Sequence, residues 1–300
     1  MDHYGTKIDS VKGYDIIDCE LCGLVHIDPI PTDAELKSVY ADEYYAREKP
    51  LFIDRQVKDL EWWNTVYDER YDTFESLLPP TRRKVLDVGC GPGYFLKRGA
   101  DRGWNALGIE PSKQACAHAR RQGIEVLNIF LDEDGLTAGD EKFDVVHLSE
   151  VLEHVSNPAR ICRVARSLLT PGGILCVVVP NDYNAFQQLL RERLEFQPYW
   201  LAPPFHINYF SFPSLEKLLE TAGFRVARKT AMFPMELFLL MGDNYVGNDA
   251  LGRSCHGKRK RLDVLLDQPG LKAFKREFYE LCASHGLGRE MVVYGCAEER

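Results

Sequence analysis

The sequence predicts an α/β fold: a mostly parallel sheet of seven strands with helices on both faces. Three observations carry the prediction. Between residues 83 and 182, short Val, Leu and Ile runs alternate with segments of helical periodicity. That pattern belongs to strands buried on both faces and joined by crossover helices. The first of these strands runs into Asp87-Val-Gly-Cys-Gly-Pro-Gly93, a turn whose glycines let a backbone approach a nucleotide closely. Two apolar runs, 224–229 and 291–297, flank a helical excursion near the end of the chain and complete the sheet as an antiparallel pair.

The elements follow in order. Residues 1–79, aromatic and charged, form a helical cap. Within it Thr32-Asp-Ala-Glu35 follows Asp28-Pro-Ile-Pro31 and makes a capping box, so a helix starts at Asp33. A longer helix covers about 55–78, with Val57, Leu60, Val66, Tyr71, Phe74 and Leu78 on one face and Pro79-Pro80 ending it. In the core, 80–182, Val85–Val88 is a strand and Tyr94–Arg102 a helix. Ala106–Ile109 is a strand, and Ser112 caps a helix that stops at Gly123. Val126–Leu127 and Val145–Leu148 are strands. Asn157-Pro158 opens a helix through Leu169, with proline at its favoured first position. Pro171-Gly-Gly173 breaks that helix, and Ile174–Val179 is a fully buried strand. The aromatic stretch 183–212 reads as a lid over a substrate. In 213–300, Pro213–Ala222 is a helix, Phe224–Lys229 a strand, 235–290 a mostly helical insertion, and Met291–Ala297 the last strand.

Composition narrows the function. Three hundred residues, 45% hydrophobic, suffice for one large core with appendages. A net charge of −8 argues against a nucleic-acid partner, because phosphate contacts need clustered cations. The one basic run, Lys258-Arg-Lys-Arg261, precedes Leu262, Val264 and Leu265 and reads as a solvated helix start. No stretch of apolar residues is long enough for a membrane span, and MDHYGTKIDS lacks a signal peptide's apolar run. A cytoplasmic chain with no membrane partner is the expectation. Nine scattered cysteines, among them Cys162, Cys176 and Cys296 in apolar runs, suit reduced buried thiols.

The glycine turn also discriminates between nucleotides. A dinucleotide fingerprint needs Gly-x-Gly-x-x-Gly. Gly89 and Gly91 fit, but Tyr94 holds the third place and the glycine comes one residue early, at Gly93. Asp87 would repel a pyrophosphate but suits an ammonium group. Glu110, ending the next strand, can take both hydroxyls of a ribose. Acid, glycines and acid thus suggest an adenosine with a cationic tail, which describes S-adenosylmethionine.

With these residues the sequence resembles the class I S-adenosylmethionine-dependent methyltransferases. Asp87–Gly93 resembles their first motif, Glu110-Pro-Ser112 the second, and Phe143-Asp-Val-Val146 the fourth-strand motif. Glu150-Val-Leu-Glu-His-Val155 is similar to a signature of the small-molecule branch, and His206-Ile-Asn-Tyr-Phe-Ser211 and Leu219-Glu-Thr-Ala-Gly-Phe224 match that branch too. Leu169-Thr-Pro-Gly-Gly173 precedes the fifth strand as the family has it. The resemblance covers about residues 80–230 and the last strand. It implies a Rossmann-like sheet and S-adenosylmethionine as cofactor, with S-adenosylhomocysteine as product. Cofactor contacts would come from Asp87, Gly89, Cys90, Gly91, Gly93, Tyr94 and Phe95, from Glu110, Pro111 and Ser112, and from Ser149 and Glu150. After the third strand the acid often found beside the adenine is replaced by Asn128-Ile-Phe130, so Ile129 and Phe130 would meet the ring with apolar or backbone contacts.

The implied activity is methyl transfer to a small-molecule acceptor, in first place a hydroxyl on a sugar or glycan precursor. The alternatives are a phenol or quinone acceptor, or a regulatory protein that only binds the cofactor. A hydroxyl acceptor must lose its proton to a positioned base. His206, in the aromatic stretch after the fifth strand, is the first candidate, and His154, after the fourth, the second. Glu150, Glu153 and His154 resemble a metal-holding Glu-x-x-Glu-His of ubiquinone-pathway O-methyltransferases, but the same letters occur without metal and none is expected. Cys19-Glu-Leu-Cys-Gly23, with Asp28–Pro31 and Tyr44-Tyr45, resembles the second half of a zinc ribbon found in some sugar methyltransferases. A structural zinc needs four ligands, the first cysteine pair is missing, and only His3 stands upstream as a soft donor. The pair is expected to hold no zinc. Tyr44, Tyr45, Trp62 and Trp63 are lid or core residues without a catalytic role.

Overall fold

Residues 5–28 depart from the helical cap that the sequence predicts. In the computed structural model, which describes residues 3–38, 52–131 and 141–298, Gly5–Val11 (β1), Tyr14–Cys19 (β2) and Val25–Asp28 (β3) form an antiparallel meander. The physical signal is the two-residue turn Lys12-Gly13, both at positive φ (52° and 84°). Such a turn matches the twist of paired strands and closes a hairpin. Beyond the meander Asp33–Ser38 (α1) begins where the capping box places it, with the Glu35 N–H donating to Thr32 Oγ1 and the Thr32 N–H to Glu35 Oε2. Tyr44 and Tyr45 lie outside the described residues.

The predicted helix over 55–78 is two helices, Phe52–Lys58 (α2) and Leu60–Leu77 (α3). Asp59 leaves helical geometry between them, and its carboxylate is held by Lys260. Val57 therefore falls off the buried face and is exposed, whereas Val66, Tyr71 and Phe74 are core.

Next come Lys84–Val88 (β4), Tyr94–Asp101 (α4), Asn105–Ile109 (β5), Lys113–Arg121 (α5), Glu125–Leu127 (β6) and Phe143–Ser149 (β7). A 3-10 turn, Leu152–His154, leads into Pro158–Leu168 (α6) and Leu169–Pro180 (β8). Ser112 and Asn157 cap their helices as expected, accepting from the Ala115 and Arg160 amides. The chain continues through Ala185–Leu194 (α7), Asn208–Tyr209 (β9), Phe212–Thr221 (α8), Phe224–Ala231 (β10), Glu236–Leu240 (α9), Asp249–Leu266 (α10), Lys272–Ser284 (α11) and Glu290–Ala297 (β11).

The main sheet has seven strands in the order β10-β11-β8-β7-β4-β5-β6. β4 to β8 run parallel, and β11 is antiparallel to both β8 and β10. The Rossmann-like class and the final antiparallel pair are as the sequence predicts. Strand order reverses at β4, flanked by β5 and β7, so the loops at its carboxyl end open into the crevice where ligands of such sheets bind.

Two stretches pack differently from the expectation. Residues 183–212 lie largely against the meander, while Phe205 and His206 meet His154 of the cavity lining. Trp200, Ile207 and Tyr209 pack with Ile16 and Ile27 into a separate core between this stretch and the meander, and β9 extends the meander as its fourth strand. Aromatic side chains bury wherever a partner face is offered, and the meander offers one. The basic run 258–261 is the middle of α10, not a solvated start. Arg259 is 4% exposed and lies over the Trp62 ring at 4.7 Å, because a guanidinium stacks on an aromatic face without losing its donors.

Candidate active site

The turn after β4 is built by backbone needs first. Gly89, Gly91 and Gly93 all have positive φ. A Cβ on Gly93 would stand 2.8 Å from Ala119 Cβ, so this glycine lets α4 start against α5. The amides of Gly89 and Cys90 both donate to the Ile109 carbonyl (2.8 and 3.0 Å), fastening the turn to the end of β5. Glu110 completes the fastening. One of its oxygens accepts from the Gly91 amide (2.9 Å) and the other from the Ser112 amide (2.8 Å). Burial pushes its pKa up to about 7, against the lowering effect of those two amides. Asn128 donates to the carbonyls of Glu110 and Pro111, so it holds the same turn from the β6 side.

A cavity of about 320 Å³ opens over this turn. Of the residues expected to contact a cofactor, Asp87, Gly89, Cys90, Gly91, Tyr94 and Phe95 lie on its lining, as do Glu110, Pro111, Ile129, Phe130, Ser149 and Glu150. Gly93 and Ser112 do not; they shape the turn and cap α5. The Tyr94 hydroxyl pairs with His118 Nε2 at 2.8 Å.

Sequence reasoning missed the second layer. His147 on β7 is 1% exposed, and its Nδ1 lies 2.7 Å from Asp87 Oδ1 while Nε2 lies 3.2 Å from Arg70 Nη1. Its ring stacks on Phe95 with centroids 4.0 Å apart. Burial pulls the imidazole pKa down and the Asp87 carboxylate opposes this. The ring therefore works as a spacer that donates to Asp87 and sets its orientation. The signal available in the sequence was a polar residue inside the apolar strand run Val145-Val-His-Leu148. Trp63, Tyr67 and Arg70 of α3 also line the cavity, together with Gln56 of α2 and Leu36 of α1. Trp62 and Trp63 thus divide: Trp62 is core, 3% exposed, with its indole N–H on Asp263, and Trp63 faces the cavity.

These residues match the needs of an adenosine with an ammonium-bearing tail. Asp87 and Glu110 line the same cavity as the glycine turn, where Gly89 leaves no room for a side chain against Val151, and Ile129 with Phe130 supplies apolar surface. Residues 62–229, more than half of the chain, match the methyltransferase domain family. The chain belongs to this family. S-adenosylmethionine, the cofactor of this family, fits the carboxylates and apolar surface of this cavity.

Relatives agree on the family. The chain is 31% identical over 156 residues to a ubiquinone biosynthesis O-methyltransferase of Dinoroseobacter shibae, covering 50% of this chain and 62% of that protein. It is 32% identical over 155 residues to a probable S-adenosylmethionine-dependent methyltransferase of Mycolicibacterium smegmatis, covering 50% and 55%. The chain thus spans between half and two thirds of the length of these relatives. A crystal structure of an S-adenosylmethionine-dependent methyltransferase from Archaeoglobus fulgidus shares the fold with a TM-score of 0.52 at 17% identity, over 82% of this chain and 99% of that one.

The two candidate bases stand together, but only one faces the methyltransferase cavity. His154 is on the lining; His206 is not. Their rings meet edge to face with centroids 4.9 Å apart. His154 Nδ1 lies 2.7 Å from the Phe205 carbonyl, so Nδ1 carries the proton and the lone pair is on Nε2. Beneath them Glu153 is 1% exposed, and burial together with Glu150 holds its carboxyl well above the usual range. Glu153, His154 and His206 can each offer an atom to a metal, all within 4.8 Å of one another. Glu150, expected in that group, is on the cavity lining instead. Among the described residues no helix is long and apolar enough to cross a membrane.

Proposed function

We propose that this chain transfers a methyl group from S-adenosylmethionine to a hydroxyl of a small molecule. One observation carries the reading: a single cavity holds Asp87 and Glu110 at the ends of the strands flanking the glycine turn together with the imidazole of His154, whose Nδ1 lies against the Phe205 carbonyl. Asp87 would hold the ammonium group, Glu110 the ribose hydroxyls, and Ile129 with Phe130 the adenine. When bound, the cofactor supplies a methyl group already activated by a positive sulfur. The protein is left to align the acceptor, exclude water and remove one proton. His154 Nε2 would take that proton, with the Phe205 carbonyl holding the opposite side of the ring. His206 then acts as a positioning residue against the His154 ring.

The acceptor favoured is a phenol- or quinone-type ring. Trp63, Tyr67 and Phe95 place aromatic rings on the lining, and the relative from Dinoroseobacter shibae is named for ubiquinone biosynthesis. A sugar or glycan hydroxyl is the second reading, supported by Asp33, Asn157 and Arg160 on the same lining, because a sugar needs several hydrogen bonds to orient it. The test is turnover of methyl-labelled cofactor against a panel of catechols, hydroquinones and nucleotide sugars. Labelled phenolic product supports the first acceptor, and labelled sugar the second. Bound S-adenosylhomocysteine without any methylated product would leave a regulatory, cofactor-binding protein.

A further inference from the structure

The N-terminal meander gathers four nitrogen and sulfur donors that methyl transfer does not use. His3, Cys19, Cys22 and His26 each offer a ligand atom, and these atoms all lie within 4.8 Å of one another. His3 Nδ1 stands 2.9 Å from His26 Nε2 and 3.4 Å from Cys19 Sγ. Donors bound tetrahedrally to Zn²⁺ at about 2.0–2.3 Å would be about 3.3–3.8 Å apart, so the cluster needs only small shifts to enclose an ion.

The surroundings fit ligands rather than incidental neighbours. The Gly23 amide donates to the Cys19 carbonyl (2.9 Å) and the Cys19 amide to the Leu24 carbonyl (3.1 Å). With Gly23 at φ 71°, this turn brings the two thiols of Cys19-x-x-Cys22 to one place. His26 is 1% exposed on β3, and its Nδ1 lies 2.8 Å from the Ile27 carbonyl. That bond puts the imidazole proton on Nδ1 and leaves Nε2 for the cluster, the outer-shell arrangement that metal-binding histidines show. The expectation of no zinc rested on a missing first pair of ligands. The fold supplies that pair as His3 and His26, one from each side of the cysteine turn.

We infer that His3, Cys19, Cys22 and His26 bind one zinc ion in a closed, four-ligand structural site. Binding converts the two thiols to thiolates and releases their protons to solvent. The ion would brace more than the meander. His26 is paired in register with Asn208 of β9, and the Asn208 amide donates to the Leu152 and Val155 carbonyls (2.9 and 2.8 Å) on either side of His154.

The test is metal content of the full, untagged chain, purified with reductant and without chelator. One zinc per chain is expected, lost in Cys22→Ser and in His3→Ala. Cys22 is exposed, so its replacement disturbs little packing, and circular dichroism with cooperative unfolding confirms that each variant folds. Cobalt added to the metal-free chain should show the intense visible bands of a tetrahedral ion and sulfur-to-cobalt charge transfer, both lost in Cys22→Ser. Zinc well below one per chain in the wild type with only weak octahedral cobalt bands overturns the inference, as does full zinc retention in both variants.

Discussion

Glu110 couples the fold of the glycine turn to the protonation state of the cavity. Burial raises its folded-state value from 4.5 to about 7. Its neutral form therefore stabilises the empty fold fully at pH values below the unfolded value, and that contribution is lost as pH rises through about 7. Ribose hydroxyls donate best to the ionised form. Affinity for S-adenosylhomocysteine should accordingly rise as pH passes through about 7, and the dependence should flatten in Glu110→Gln; calorimetry across that range with no change in the wild type would contradict it. His147 supports the other carboxylate. His147→Leu removes the donor to Asp87 and one partner of Arg70, and should cost about 1–3 kcal/mol of stability or cofactor affinity. His147→Asn, which keeps a donor near Nδ1, should recover part of the loss in denaturant titrations. For the base, His154→Ala should lower kcat roughly 10²–10⁴-fold with cofactor affinity nearly unchanged. His206→Ala should fall well short of that, and equal losses in the two variants would return the base role to His206.

At the scale of elements, helix starts were the most legible feature. Thr32, Ser112 and Asn157 cap as predicted because a cap is a local exchange between a side chain and the amides just beyond it. The glycine turn was legible for the same reason, although why a third glycine stands at 93 emerges only from α5 passing beside it. Gly93→Ala should be strained both by φ 85° and by the clash with Ala119, costing about 1–3 kcal/mol, read as a lowered urea midpoint. The break at Asp59 was not legible, since the Lys260 that holds its carboxylate stands 201 residues away.

Across the whole molecule, the excursion between β10 and β11 holds α3 in place over the cavity. Asp263, 3% exposed, accepts from the Trp62 indole at 2.7 Å and from the Tyr279 hydroxyl, with Arg259 4.0 Å away. Lys275, 1% exposed, reaches Glu69 at 2.6 Å. Asp263→Ala leaves the buried Arg259 charge without its carboxylate and should cost about 3–5 kcal/mol, seen as a large drop in Tm. Because α3 carries Trp63, Tyr67 and Arg70 to the lining, cofactor affinity should weaken with it. Asp263→Asn, which still accepts from the indole, should be milder on both counts.

The sequence alone determined the seven strands, their crossover helices and the residues of the glycine turn. Each is written in local periodicity, capping or spacing that nearby atoms enforce. Tertiary structure decided what lies across the chain from what. It placed His147 between Asp87 and Arg70, His154 rather than His206 on the cavity, and 183–212 against the meander. It also brought His3 and His26 to the cysteine pair. Those placements depend on which buried faces find each other, and a face carries no mark of its partner until the sheet has folded.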